Sequence, residues 1–210
     1  MYVQKFIFNP IGVNTYVAWD DSGECIIIDP GCYTDGERER LAAFVAQKGL
    51  KPVALVNTHG HFDHTAGNEY VCTRYGVSAC LHRDDFYNIA QAAEHAARFG
   101  VALPVPPTPC ELGAEVRFGA TVLRVLHTPG HSTGSVSLYA PEAGVVFTGD
   151  TLFRGSIGRS DFEGGDLNAL MTSLHLVLMA LPPNTEVLPG HGAKTTLGTE
   201  QWHNPFLNNV

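Results

Sequence analysis

Between Thr58 and His64 the chain reads Thr-His-Gly-His-Phe-Asp-His, three imidazoles and one carboxylate on consecutive or alternating positions. Neutral imidazole and carboxylate are the donor set for zinc, and also for iron or manganese. In an extended turn, alternate residues such as His59 and His61 can address one ion. Asp63 and His64, where the turn enters a helix, can address a neighbouring ion. The segment follows the apolar run Val53–Asn57, read as a short buried strand, and loops at strand ends on a rigid scaffold carry function. One loop cannot complete two sites of four or more donors. The fold must therefore bring other strand ends to this one.

Three later segments share one pattern. Thr128-Pro129-Gly130-His131 follows the expected strand Thr121–His127. Phe147-Thr148-Gly149-Asp150 ends the strand Val145–Thr148. Leu188-Pro189-Gly190-His191-Gly192 follows the strand Glu186–Leu188. In each, a strand ends, glycine allows a tight turn, and a donor side chain appears. Alone, each is an ordinary turn; together with the histidine-rich loop they describe one site.

The remaining pattern supplies a scaffold. Tyr2–Phe8, Asn14–Trp19, Glu24–Asp29 and Ser78–Leu81 read as strands, as do Glu115–Phe118 and Ser135–Tyr139. Helices are expected over Asp35–Lys48, Ala66–Tyr75, Asp84–Phe99 and Asp166–Leu181, with Asp84 or Asp85 near a cap. Val101–Cys110 holds four prolines and is expected to be irregular, either a passive surface loop or, with the preceding helix, one wall of the cleft. The tail after Leu188 is read as irregular. Two batches of strands, each followed by helices, imply two sheets packed face to face with helices outside.

Composition narrows the classes. Thirteen Lys and Arg against 21 Asp and Glu give a net charge of −8, unfavourable for nucleic acid or an anionic membrane. No apolar run approaches the length of a transmembrane helix, and the N-terminus lacks a signal-peptide pattern. The five cysteines, without short paired spacing, read as reduced thiols in a cytoplasmic protein.

The segments THGHFDHTAGN, TPGHS, FTGDTLF and PGHG resemble the metallo-β-lactamase superfamily, with matches over nearly the whole chain. The resemblance implies an α/β fold, the αββα four-layer sandwich of two packed mixed sheets with outer helices, as one metallo-hydrolase domain over residues 1–210. It places His59, His61 and His131 on one metal ion and Asp63, His64 and His191 on a second, with Asp150 bridging. It makes Asp29, in IIIDPG, the aspartate that orients the metal loop. The ions would be two divalent metals, zinc first, with iron or manganese as alternatives.

Within the superfamily, the same segments with Gly158-Arg159 and the ending GHGAKTTLGTEQWHNPFL resemble the hydroxyacylglutathione hydrolases (glyoxalase II), in their short single-domain form. The resemblance implies hydrolysis of a small-molecule glutathione thioester such as S-lactoylglutathione. Asp63 would orient the nucleophile and Arg159 would face substrate. Enzymes that open β-lactams usually have Cys where this chain has Asp150, so that activity is not expected. The chain ends at Val210 without the C-terminal helical domain that holds glutathione in longer enzymes. Ser160-Asp161-Phe162 stands where those carry a substrate-facing Tyr, and Asp161 is a candidate partner for Arg159. Arg154 and Lys194 are basic residues near the site with solvated surface as the alternative. Iron-dependent persulfide dioxygenases, which use the equivalents of His59, His131 and Asp150, are the competing resemblance, and a non-glutathione ester or phosphodiester hydrolase is a further one. His82, His95, His175 and His203 have no motif around them and read as ordinary surface or core imidazoles. His127 is either a support for the site or an ordinary strand-end residue.

Overall fold

The computed structural model describes residues 1–208. Six strands form the first sheet: β1 (Tyr2–Phe8), β2 (Val13–Trp19), β3 (Glu24–Ile28), β4 (Lys51–Val56), β5 (Ala79–Leu81) and β6 (Cys110–Glu111), paired in that order. β1 to β3 run antiparallel, and β3 to β6 run parallel. The helices that make those parallel crossovers are α1 (Asp35–Gln47), α2 (Phe62–Thr65), α3 (Asn68–Tyr75) and α4 (Phe86–Ala97).

The second sheet takes its strands from the rest of the chain: β7 (Glu115–Phe118), β8 (Thr121–His127), β9 (Val136–Ala140) and β10 (Val145–Gly149). After a separate hairpin of β11 (Leu152–Phe153) and β12 (Ser156–Ile157), α5 (Leu167–Thr172) leads to β13 (Glu186–Pro189) and β14 (Thr195–Thr196), and α6 (Leu197–His203) follows. The order across the sheet is β14-β13-β10-β9-β8-β7, with β10 and β13 parallel. Among the described residues, no helix is long and apolar enough to cross a membrane.

Alternation along the strands explains the layering, because successive side chains face opposite sides of a sheet. Tyr16, Ala18, Ile26 and Ile28 face Phe118, Leu123, Leu138 and Phe147 between the sheets. There the rings of Tyr16 and Phe147 meet edge to face at 5.2 Å. The intervening positions, Val17, Cys25 and Ile27, pack outward with Leu41 of α1 and Val71 of α3. Tyr139, Val146 and Val187 pack outward against Leu170, Leu174, Leu178 and Leu197. Three apolar layers separate four layers of secondary structure, the expected αββα sandwich.

Several local expectations change. The helix expected from Ala66 begins only at Asn68, as α3, because Gly67 donates its N–H to Pro30 O at 2.7 Å and lies against Cys32, and the short α2 over Phe62–Thr65 precedes it. Residues Arg83–Asp85 form a single tight turn ahead of α4. The helix expected over Asp166–Leu181 has Asp166 as its cap, and beyond Thr172 it widens into a π-turn over Ser173–Leu178. The tail is regular, not irregular: Thr196 caps α6 through its hydroxyl, which accepts from Thr199 N. The cysteines also need correction. Cys80 and Cys110, paired neighbours on β5 and β6, form a disulfide, so only Cys25, Cys32 and Cys72 are free thiols. The 30-residue separation hid a pairing that the parallel register creates.

Candidate metal centre

The parallel strands set the geometry. Ile28 is paired with Val56, so Asp29 and the loop after β4 emerge side by side. β10 and β13 end together, which brings Asp150 and His191 to one edge of the second sheet. The edges are then joined across the sandwich. Val136 N donates to Thr58 O at 2.9 Å and Asn14 N to Gly190 O at 2.7 Å. Gly190 is required where it stands: a Cβ there would lie 2.2 Å from Asp150 Oδ1 and 2.7 Å from the His64 ring.

All seven residues named from the sequence converge. His59, His61 and His131 form one group, and Asp63, His64 and His191 form another, each with donor atoms within 4.8 Å of one another. Asp150 lies between them, with Oδ1 3.3 Å from His64 Nε2 and Oδ2 3.6 Å from His191 Nε2 and 3.7 Å from His131 Nε2. Asp63 Oδ2 is 3.3 Å from His191 Nε2.

Hydrogen bonds around the rings fix which nitrogens point inward. Thr58 Oγ1 donates to Asp29 Oδ2 at 2.7 Å, so its contact with His59 Nδ1 at 3.1 Å must be donated by the ring. His64 Nδ1 donates to Asp29 Oδ2 at 2.9 Å, and His131 Nδ1 to Arg159 O at 2.8 Å. Each of these rings therefore turns its Nε2 toward the centre, free to act as a donor to metal whenever the ring is neutral. His59 Nε2 is buried with no hydrogen-bond partner, and so is Asp150 Oδ1. His131 Nε2 faces His61 Nδ1 at 2.9 Å, and His64 Nε2 faces His191 Nε2 at 3.3 Å. Imidazole nitrogens crowded against one another and against Asp150 in a buried site are the arrangement that cations resolve, and the residues present fit divalent metal ions.

The electrostatics agree. Burial, with repulsion from neighbouring imidazoles, holds His59 far below the usual histidine range and His61 down to about 3, so both are neutral donors. At His64 burial acts the same way, but Asp150, Asp63 and Asp29 outweigh it and favour positive charge there. A proton and a metal ion compete for the same Nε2. Burial opposes ionisation of Asp150, yet His64, His131 and His191 keep it a carboxylate.

Sequence reading missed one supporting residue. Asp85 lies near the start of α4, as expected of a cap, but its side chain makes no capping bond to the helix. Fully buried, it accepts from Gly60 N at 2.7 Å, Gly134 N at 2.7 Å and Ser132 Oγ at 2.8 Å. It thereby ties the loop of His59 and His61 to the loop of His131. Asp29 does the corresponding work at the other end, accepting from Thr58 N at 2.7 Å with its backbone in the left-handed region at φ 48°. Aspartate tolerates that region better than most residues.

The basic residues stand further out. Arg159 turns its exposed guanidinium away onto Asp161, with contacts of 2.8 and 2.9 Å, and over the Phe162 ring. Lys194 pairs with Glu186 at 2.6 Å. Beside Asp63 a cavity of about 220 Å³ is bordered by Ile11, Tyr33, Phe62, Phe99 and Val101, so the end of the α4 segment and the start of the proline-rich stretch do form a wall.

The comparisons with known proteins follow this geometry. Probable metallo-hydrolase YqgX of Bacillus subtilis is 39% identical over 95% of this chain and 94% of its own length. Hydroxyacylglutathione hydrolase GloC of Haemophilus influenzae is 35% identical over 93% of this chain and 92% of its own. Among solved structures, BLEG-1 B3 metallo-β-lactamase superposes with a TM-score of 0.91 at 36% identity, covering 99% of this chain and 100% of that one. TTHA1623 in a di-iron-bound form gives 0.87 at 40% identity, covering 97% and 100%. The sequence model of the metallo-β-lactamase superfamily matches residues 8–191, from the first strand to the last of the converging histidines. By fold, by donor set and by sequence, the chain belongs to the metallo-β-lactamase superfamily.

Proposed function

We propose that this metallo-hydrolase cleaves thioesters, with S-lactoylglutathione or a related hydroxyacylglutathione as substrate, at a centre of two divalent metal ions, zinc before iron or manganese. The observation that carries the reading is the pair of three-residue donor groups joined through Asp150, with His59 Nε2 of the first group buried and unpartnered. The 35% identity to a hydroxyacylglutathione hydrolase over nearly the full length of both chains supports the substrate class, and the di-iron form of a 40% identical protein supports the metal count. Two bound divalent ions would acidify a water toward neutrality and polarise the substrate carbonyl.

The chain's own residues supply the rest. Asp63, kept ionised although buried, offers a carboxylate oxygen to accept a proton from water and fix its direction. A thiolate departs with a thiol pKa of about 8.5, so the chain needs no strong acid beside the leaving group. Arg159 serves the glutathione carboxylate by exchanging Asp161 for it, a swap between solvent-exposed ion pairs that costs little. The apolar cavity beside Asp63 accepts the non-reacting part of the substrate.

Metal analysis beside turnover assays tests the reading. Two divalent equivalents per chain, hydrolysis of S-lactoylglutathione, its loss on chelation and its return with added metal are expected. One iron per chain with oxygen uptake on glutathione persulfide would replace it with the dioxygenase reading. Turnover of a β-lactam but of no thioester would overturn it as well.

A further inference from the structure

Away from the metal centre, the described residues hold one other group of three metal-type donors: His82, Asp84 and His127, with donor atoms within 4.8 Å of one another. His82 follows β5 of the first sheet, whereas His127 ends β8 of the second. Their rings stack at 4.3 Å with planes 10° apart.

The hydrogen bonds identify which ring nitrogens are unprotonated. His127 Nε2 lies 2.9 Å from Thr133 O. A carbonyl can only accept, so Nε2 carries the proton and Nδ1 is bare. His82 Nδ1 accepts from Asp84 N at 3.3 Å and so is also unprotonated; this long capping bond is the one an ion at Nδ1 would replace. Asp84 Oδ2 lies 3.7 Å from that nitrogen, an acceptor facing an acceptor. Burial and the neighbouring His127 hold His82 below the usual histidine range, which favours the neutral ring that metals bind. The surrounding charge is acidic: Asp84, Asp85 and Glu111 all act on His82, and Arg83 is engaged with Glu111 at 3.7 Å.

Tetrahedral zinc places its donors about 3.3 Å apart. Closing from separations of up to 4.8 Å requires one ring to tilt and Asp84 to rotate. Asp84 and His127 are exposed enough to do both, and solvent can complete the shell. We propose that His82, Asp84 and His127 form a peripheral divalent-metal site, suited to zinc or a similar ion that accepts imidazole and carboxylate. An ion there clasps the end of β5 to the end of β8. It also braces the Thr128–Ser135 loop from behind, since Thr133 bonds both His127 and Asp84 O.

The inference does not depend on the number of ions in the central site, because its test reads position. Zinc-equilibrated full-length protein is crystallised and anomalous scattering recorded at the zinc edge, with zinc content measured in parallel by dialysis. A peak between His82, Asp84 and His127 is expected. His127→Ala should lose that peak and one zinc equivalent per chain while the central peaks persist. The increase in Tm on zinc addition should shrink by the peripheral ion's share, because an ion that binds only the folded state stabilises it. Should His127→Ala fold poorly, the near-isosteric Asp84→Asn at an exposed position answers the same question. No peak at this position in the wild-type protein, or unchanged zinc content in a folded variant, would overturn the proposal.

Discussion

At Asp63 two opposing effects meet: burial resists ionisation, while His64 and His191 hold positive charge close by and win. Replacing the carboxylate with an amide keeps the shape and removes the charge. Asp63→Asn in metal-replete enzyme is therefore expected to lower kcat by about 100-fold or more with little change in KM, the signature of an interaction made in the transition state. Steady-state kinetics check this, and an unchanged kcat would move Asp63 away from the chemistry. The same change at His95, which belongs to none of the donor groups, should be near neutral. Asp85→Ala is expected to cost about 3 kcal/mol or more in urea unfolding, since Gly60 N, Gly134 N and Ser132 Oγ lose one buried acceptor together. Here lies the limit of reading residues in order. The donors were legible because each sits in a short segment with glycine and a strand end. Asp85 was not, because its partners lie 25 to 49 positions away and a bracing aspartate looks like a helix cap.

Elements whose signals are local were the readable ones. β1, β7 and β8 occupy the expected residues, since alternation is set by which face is buried. The late start of α3 after Gly67 was not readable, because it depends on contact with Pro30 and Cys32 from elsewhere in the chain. α6 was hidden for a different reason. Gly198 weakens the helix signal, and the segment is held instead by Glu200, which accepts from Gly155 N at 2.7 Å and Thr195 Oγ1 at 2.6 Å. The short strand β6 depends on Cys110 meeting Cys80 across a parallel pair. Thiol titration of unfolded, unreduced protein should find Cys25, Cys32 and Cys72 only. Cys80→Ser is expected to lower stability by up to about 3.6 kcal/mol, the loop-closure estimate for a cross-link of this span, with thermal melting as the readout. Reactivity of all five thiols without reductant would contradict the cross-link.

The two sheets make one molecule through contacts at both ends of the sandwich. At the end away from the metal centre, Asp20 after β2 accepts from Ser22 N at 3.0 Å, Ala120 N at 2.8 Å and Thr121 N at 3.2 Å. The Ser22 hydroxyl, with the backbone donors, brings its carboxyl from 3.8 to about 2 in the folded protein. A depressed folded pKa adds stability above 3.8 that is lost as pH falls toward about 2. Asp20→Asn should therefore flatten the pH dependence of unfolding in that window. Its effect at neutral pH should stay under about 1 kcal/mol, because the group is close to solvent. An unaltered acid limb would show that this link does not act. The division of the chain between the sheets has a consequence of another kind. Residues 2 to 111 supply every strand of the first sheet and residues 115 to 196 every strand of the second. A cut in the connection between Glu111 and Glu115 leaves each sheet with all its own hydrogen-bonded neighbours, and each piece with only part of the donor set. His59, His61, Asp63 and His64 fall in one fragment, and His131, Asp150 and His191 in the other. Two separately expressed polypeptides should then be inert singly and regain hydrolysis when mixed, which makes this a scaffold for reporting the proximity of whatever the halves are fused to.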